Sequence, residues 1–270
     1  MPPHLILILT LLPFALNGCQ SPSIAPVIEN RSYTPDATSR QTADLYLPEG
    51  HGPHPVAIVI HGGGWTGRDK SDMADISERL AAEGIAAFNI NYRLAPDHRF
   101  PAQLEDVQAA QGWIADNAEK HRFDLNRVYT VGYSAGAHLA LLAASADVSG
   151  LPDIQGVIAG GPPTDLTLYP KSPYVQKLMG TSYEKDPEAF RDASPLHQVS
   201  LDHPPVFLYH GRLDRIVAYK NSTLIKEALE EKGVEVELHT RILEGHILTY
   251  FREGPSLKQG IRFLNSLEYP

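Results

Sequence analysis

The feature that most constrains this chain is the sequence Gly-Tyr-Ser-Ala-Gly at residues 132–136, which follows an apolar, β-branched run at 128–131. A glycine two positions either side of a serine permits a very tight turn between a buried strand and a helix. Such a turn holds the hydroxyl of Ser134 away from the backbone and open to solvent. The motif therefore predicts a strand, a sharp turn and a helix, with a candidate nucleophile at the turn.

A second glycine-rich turn lies upstream, also at the end of an apolar run. Residues 56–60 are typical of a buried strand, and His-Gly-Gly-Gly-Trp follows at 61–65. Main-chain N–H groups of such a loop can bind the oxyanion formed during acyl transfer. We expect the N–H groups of Gly63, Gly64 and Ala135 to form this oxyanion hole. Ala135 qualifies because it begins the helix after the serine, where the helix dipole favours negative charge.

A serine hydroxyl is a weak nucleophile, so it needs a base that an acid orients. Asp214 comes after the apolar strand predicted at 206–209, and His246 comes just after the last predicted strand. Both positions lie at the carboxyl edge of a parallel sheet, where open α/β folds bind their ligands. The chain order Ser134, Asp214, His246 therefore predicts a catalytic triad. Asp165 is the one serious alternative for the acid.

Other side chains adjoin these motifs and have less specific predicted roles. Tyr133 is predicted to contact the substrate. Trp65 is predicted either to line the acyl pocket or to pack in the core. His61 and His210 are expected to brace their glycine turns, and His138 is expected to pack against the sheet.

The rest of the chain alternates between strand and helix patterns from residue 42 onward. Repeated strand–helix units with continuously apolar strands are typical of a mostly parallel, doubly wound sheet with helices on both faces. The alternation fails at 160–204, a stretch rich in Pro, Ser, Asp and Tyr, which predicts a small lid-like insertion over the site. We therefore predict one α/β catalytic domain at 42–270.

The N-terminal residues predict export. An apolar run at 5–16 has the length of a signal-peptide core, and the Leu-Asn-Gly-Cys sequence that ends it resembles a bacterial lipobox. We expect a signal peptide at 1–18, lipidation of Cys19 and a tether at 19–41. The predicted location is the cell envelope, lipid-anchored to the outer membrane or facing the periplasm; otherwise the protein is secreted.

The overall charge excludes one class of partner. The chain has 270 residues, a formal net charge of -9 and no basic stripe that could neutralise phosphates, so a nucleic-acid partner is excluded. The histidines show no metal-ligand spacing such as His-Glu-x-x-His, and neither a metal nor an organic cofactor is expected. The only predicted contact with a membrane is the N-terminal lipid anchor.

Taken together, three motifs resemble one family. The two glycine motifs, with Tyr-Arg-Leu-Ala-Pro at 92–96, look like the esterase/lipase branch of the α/β-hydrolases. That branch includes the hormone-sensitive-lipase-like carboxylesterases and the bifunctional feruloyl/acetyl-xylan esterases. The resemblance covers about residues 42–266. Tyr133 lies where the hormone-sensitive-lipase group usually has Asp, and this difference favours a closer resemblance to the xylan esterases.

The resemblance implies a fold, a site and an activity. It implies an α/β-hydrolase fold, the same triad and oxyanion hole, and a structural role for 92–96 in bracing the glycine loop. The implied activity is cofactor-free hydrolysis of short-chain or carbohydrate-linked (acetyl or feruloyl) esters through an acyl-enzyme. The alternatives are an amide-cleaving enzyme, such as an arylformamidase or peptidase, and an inactive hydrolase fold that binds a ligand. The sequence leaves the exact ester and the oligomeric state open.

Overall fold

Eight strands form one sheet in the computed structural model, which describes residues 25–268. The strand order is β1-β2-β4-β3-β5-β6-β7-β8; β3 to β8 run parallel, and near one edge β2 runs antiparallel to both of its neighbours, β1 and β4. The strands are β1 (Ile28–Ser32), β2 (Thr42–Tyr46), β3 (His54–Ile60), β4 (Ala86–Ile90), β5 (Phe123–Tyr133), β6 (Ile154–Gly160), β7 (Val206–Gly211) and β8 (Val236–Arg241).

Helices connect the strands and cover both faces of the sheet. They are α1 (Ala74–Ala82), α2 (Ala102–Asp116), α3 (Ala118–His121), α4 (Ala135–Ser145), α5 (Pro173–Met179), α6 (Pro187–Asp192), α7 (Lys220–Glu231), α8 (His246–Phe251) and α9 (Gly254–Ser266). Short 3-10 turns lie at Lys70–Met73, Leu166–Leu168 and Pro195–His197. The predicted α/β-hydrolase fold, a mostly parallel sheet between two layers of helices, is confirmed.

The core consists of two apolar layers, because successive side chains of a strand point to opposite faces. In β3, Ile58 and Ile60 pack in one layer with α2, α4 and α7. Ala57 and Val59 pack in the other layer with α1 and α9. The central strands are therefore buried on both faces, which fits their continuously apolar sequences. This rigid sheet holds the loops that follow β3, β5, β7 and β8 at one edge.

The folded unit begins earlier than the sequence predicts. Part of the predicted tether at 19–41 forms β1, which pairs antiparallel with β2. Tyr33, next to β1, is buried, and its hydroxyl donates to the main-chain oxygen of Asn91 at 2.7 Å. The strand lacks alternating apolar residues because it lies at the sheet edge and main-chain hydrogen bonds hold it. The domain boundary expected at residue 42 is therefore wrong.

The remaining N-terminal predictions lie outside the described residues. These are the signal peptide at 1–18 and the lipidated Cys19. Within residues 25–268, no helix combines the length and the apolar character needed to cross a bilayer.

The predicted insertion at 160–204 is a set of short helices and turns between β6 and β7. Its inner side chains Leu166, Leu178 and Phe190 are fully buried and belong to the main core. Its residues Tyr169, Ser172, Tyr174 and Val175 border the pocket described below. The segment is therefore packed into the domain along one side and forms a wall of the pocket along the other.

Candidate active site

Ser134 lies at the sharp turn between β5 and α4 that the sequence predicts. Its backbone has φ 55° and ψ −119°, a conformation that side chains other than glycine rarely adopt. A Cβ atom on Gly132 would overlap the main chain of Gly136, and one on Gly136 would overlap the main chain at the end of β3. Both glycines are therefore needed for the turn to close. The N–H of Ser134 donates to Gly160 at 2.7 Å and ties the turn to β6.

The three residues predicted to act together lie in hydrogen-bond contact. Nε2 of His246 is 2.9 Å from Oγ of Ser134. Nδ1 of the same ring is 2.6 Å from Oδ2 of Asp214. His246 is the first residue of α8, and Asp214 lies in the turn after β7. A serine, an imidazole and a carboxylate in this order can transfer a proton away from the hydroxyl and stabilise the resulting imidazolium.

The carboxylate of Asp214 is buried and accepts four hydrogen bonds. Oδ1 accepts from the N–H groups of Ile216 at 2.8 Å and Val217 at 2.9 Å. Oδ2 faces two imidazoles, those of His246 and His210. Burial alone would raise the pKa of Asp214, but hydrogen bonds from the two imidazoles and the main chain outweigh it and hold the pKa well below its usual range. Asp214 is therefore ionised at neutral pH.

His210 contacts the acid as well as bracing its own turn. Its Nε2 lies 3.1 Å from Oδ2 of Asp214 and 3.0 Å from the main-chain oxygen of Val217. Both groups are acceptors, so in the neutral ring the proton is assigned to Nε2. Nδ1 then accepts from the hydroxyl of Ser222, 2.7 Å away. His210 and Ser222 are both fully buried.

Sequence reasoning assigned His210 only to its glycine turn and did not identify Ser222. The signal available for His210 was its position four residues before the acid. No local pattern identified Ser222, because it reaches His210 from the first turn of α7.

Asp165, the alternative acid, does not contact His246. Its Oδ1 accepts from the N–H of Thr167 at 3.0 Å and from the Thr167 hydroxyl at 2.6 Å. His197 is its nearest imidazole, at 3.6 Å. Asp165 therefore begins a 3-10 turn in the insertion, and the structure favours Asp214 as the acid beside His246.

The three residues whose amides are predicted to form an oxyanion hole line the same pocket as the serine. Gly63 and Gly64, with φ of 108° and 58°, lie in the loop after β3, and both border the pocket that contains Ser134. Neither N–H group donates a hydrogen bond within residues 25–268. Ala135 is the first residue of α4, so its N–H has no acceptor within the helix. These donors are available to a negatively charged oxygen.

The glycine loop is braced from behind. The ring of Tyr92 stacks on His61 at 4.3 Å, and its hydroxyl donates to the main-chain oxygen of His61 at 3.0 Å. The N–H of Ala95 donates to the main-chain oxygen of Trp65 at 2.9 Å. Burial lowers the pKa of His61 to about 4. The bracing roles predicted for His61 and for 92–96 are confirmed.

Of the remaining predicted residues, Trp65 and Tyr133 line the pocket and His138 lies behind it. Trp65 is only 3% exposed; it borders the pocket and also packs edge-on against His138. The imidazole of His138 is fully buried and its Nε2 donates to the main-chain oxygen of Ala193 at 2.7 Å. Tyr133 borders the pocket too, but its hydroxyl donates to the main-chain oxygen of His246 at 2.6 Å. Tyr133 thus helps to fix the position of the imidazole.

The serine opens into a pocket of about 620 Å³. The glycine loop forms one wall, and Tyr169, Tyr174 and Val175 of the insertion form another. Ile216 and Phe251 border the mouth. Within the described part of the chain, no three or more His, Cys, Asp or Glu side chains are arranged to hold a metal ion. The pocket has room for a small ester with an aromatic or sugar ring.

Comparison with known proteins places this chain in a family. A family model described as BD-FAE matches residues 43–229, more than half of the chain. Esterase LipC of Mycobacterium tuberculosis is 30% identical over 197 residues, which cover 66% of this chain and 48% of LipC. Esterase LipQ of the same organism is 29% identical over 71% of this chain and 49% of LipQ. The chain thus spans about half the length of the curated relatives it matches.

Solved structures share the fold. A truncated carbohydrate esterase from gut microbiota superposes with a TM-score of 0.81 at 22% identity, covering 90% of this chain and 96% of that one. An acetyl ester-xyloside bifunctional hydrolase from Caldicellulosiruptor lactoaceticus has a TM-score of 0.73 at 28% identity, covering 88% and 92%. The family match shows that the chain belongs to the BD-FAE family, and the structural similarities show that it shares the α/β-hydrolase fold with solved esterases.

Proposed function

We propose that this protein is a serine carboxylesterase that hydrolyses short-chain or carbohydrate-linked esters through an acyl-enzyme. The observation that carries the proposal is the continuous chain of contacts from Ser134 through His246 to Asp214, with separations of 2.9 and 2.6 Å. Esterase names among the relatives support the same reaction class.

In the proposed mechanism, Oγ of Ser134 attacks the ester carbonyl carbon while Nε2 of His246 takes the hydroxyl proton. The N–H groups of Gly63, Gly64 and Ala135 stabilise the oxyanion. His246 then protonates the leaving alcohol, and the acyl group remains on the serine. A water molecule, deprotonated by the same imidazole, then attacks the acyl-enzyme. The bond between the carbonyl carbon and Oγ of Ser134 breaks, the imidazolium returns its proton to Oγ, and the acid is released.

His210 and Ser222 have a positioning role in this mechanism. Asp214 must present Oδ2 to His246 in a fixed direction, and the contact from His210 restricts that oxygen from a second side. Ser222 in turn fixes the orientation of the His210 ring. Neither residue touches the substrate in the proposed reaction.

The substrate class is supported by the pocket and by the relatives. Aromatic side chains, including Tyr169 and Tyr174, line the pocket and offer flat apolar surface to a sugar or an aromatic acyl group. One structural relative is described as an acetyl ester-xyloside bifunctional hydrolase and another as a carbohydrate esterase. We therefore propose acetyl or feruloyl esters of carbohydrates, together with simple short-chain esters.

The test combines substitution with a substrate panel. We expect Ser134→Ala to abolish hydrolysis of p-nitrophenyl acetate and Asp214→Asn to lower kcat by on the order of 10⁴. Asp165→Asn is the matched control and should retain activity. Wild-type rates in Ser134→Ala would refute the proposal. The panel compares acetylated xylan, feruloylated sugars, peptides and N-formylkynurenine; a strong preference for the last two would establish the amide-cleaving alternative instead.

Export and lipidation are a separate part of the proposal. They rest on the apolar run at 5–16 and on Cys19, which follows it. We expect a bacterial host to incorporate labelled palmitate into the full chain and not into Cys19→Ser. Equal labelling of both would refute lipidation at this residue.

A further inference from the structure

Apolar side chains are concentrated on the surface around the mouth of the pocket. Seven of the eleven large apolar side chains that are exposed in residues 25–268 fall within two short segments, 213–216 and 242–251. Exposed apolar surface concentrated in this way marks an interaction site. We call this surface the apolar rim, and its members are Leu213, Ile216, Ile242, Leu243, Ile247, Leu248 and Phe251.

The two segments of the apolar rim form one continuous surface. The N–H of Leu213 donates to the main-chain oxygen of Glu244 at 2.9 Å, so the loops after β7 and β8 lie side by side. Ile216, Ile247 and Phe251 also line the pocket. The rim therefore begins at the pocket mouth and extends outward to Leu243, whose side chain is 82% exposed.

The exposed charges in and beside these two segments are all positive. Arg215 lies within the first segment, Arg212 immediately precedes it and Arg252 immediately follows the second, and all three are exposed. The acidic residues of the two segments, Asp214 and Glu244, are buried, one against two imidazoles and the other in an ion pair with an arginine. The chain as a whole carries a net charge of -9. The rim is therefore a cationic and apolar region on an acidic protein.

We propose that the apolar rim docks on an anionic lipid surface and holds the pocket mouth against it. Aliphatic side chains that enter the boundary between headgroups and acyl chains gain free energy by leaving water. Arginines beside them interact favourably with the negative potential of anionic headgroups. The inference concerns binding and does not depend on the esterase activity proposed above.

Other occupants fit the rim less well. Six of its seven side chains are aliphatic, and a polysaccharide would have to bury hydroxyl groups against them without hydrogen-bond partners. A second copy of this chain in a symmetric dimer would bring the exposed arginines of both copies together, and the rim offers no exposed carboxylate to pair with them. Lipid with anionic headgroups satisfies both the apolar and the charged components.

The test measures co-sedimentation with vesicles of phosphatidylglycerol and phosphatidylcholine, with Cys19→Ser in every sample so that no lipid anchor contributes to binding. The double variant Ile242→Ser/Leu243→Ser alters the rim away from the pocket. Leu201→Ser is the matched control, because Leu201 is 74% exposed but precedes β7 at the opposite edge of the sheet. We expect the double variant to bind about tenfold more weakly and the control to bind like the wild type.

A charge variant and an activity assay complete the design. Arg215→Gln/Arg252→Gln should weaken binding to the anionic vesicles about tenfold and leave binding to pure phosphatidylcholine unchanged. All variants should hydrolyse p-nitrophenyl acetate at the wild-type rate without vesicles, which shows that they are folded. Equal vesicle binding by the double variant and Leu201→Ser would overturn the proposal. The proposal would also be overturned if only the rim variants lost dimerisation, or lost binding to acetylated xylan, while their binding to vesicles persisted.

Discussion

Replacing Ser222 with alanine should slow catalysis, although the Ser222 hydroxyl touches neither the nucleophile nor the base. The hydroxyl lies 2.7 Å from Nδ1 of His210 and forms a hydrogen bond with it, and both residues are fully buried. Without it, Nδ1 is left unsatisfied and the ring can rotate away from Oδ2 of Asp214. The carboxylate then loses one of its four hydrogen bonds and part of its fixed orientation toward His246.

The expected losses of stability and of kcat follow from the hydrogen bonds that the substitution removes. A buried acceptor left without its donor costs about 1–3 kcal/mol, so the free energy of unfolding should fall by that amount. If the substitution raises the free energy of the transition state by about 1 kcal/mol of this amount, kcat falls about fivefold. KM should stay within about twofold, because Ser222 does not contact the substrate in the proposed mechanism.

The assay is steady-state hydrolysis of p-nitrophenyl acetate, with urea unfolding of the same samples. Ser256→Ala is the matched control, since Ser256 is also fully buried but its hydroxyl has no hydrogen-bond partner among residues 25–268. The control should keep both kcat and stability. If Ser222→Ala and Ser256→Ala have the same kcat, the positioning role of the His210–Ser222 pair is refuted.

Three further predictions concern stability and the serine turn. Burial lowers the pKa of His61 and of His138 to about 4, whereas the unfolded chain protonates histidine near pH 6.5. The unfolded state thus binds more protons below that pH, and the free energy of unfolding should fall by ~2 kcal/mol per histidine by about pH 5; urea titrations that give equal values at pH 7.5 and 5 would contradict this. Gly136→Ala should yield no folded protein, because the new methyl group overlaps the main chain at the end of β3; a native circular dichroism spectrum would refute the close approach. Tyr133→Phe should lower kcat about tenfold and leave KM nearly unchanged, because its hydroxyl holds the main chain of the proposed base; a change confined to KM would instead support direct contact with substrate.

Much of the fold and the site was predictable because the relevant constraints are local. A glycine two positions either side of Ser134 dictates a turn whatever surrounds it, and the apolar strands that precede each motif predict a parallel sheet. Parallel strands place their carboxyl ends at one edge, so the chain order of Ser134, Asp214 and His246 was sufficient to predict their proximity. The choice between Asp214 and Asp165 required the structure, since both follow strands.

The features that only the tertiary structure determined depend on contacts between distant parts of the chain. Edge strand β1 has no apolar alternation, because main-chain hydrogen bonds to β2 hold it and such bonds do not depend on side-chain type. Ser222 reaches His210 only because α7 packs back against β7. The apolar rim exists because the loops after β7 and β8 become neighbours. Periodicity and motifs therefore determined the strands, the turn at the serine and the chain order of the three predicted catalytic residues. Three-dimensional packing determined which side chains support those residues and which surface surrounds the pocket.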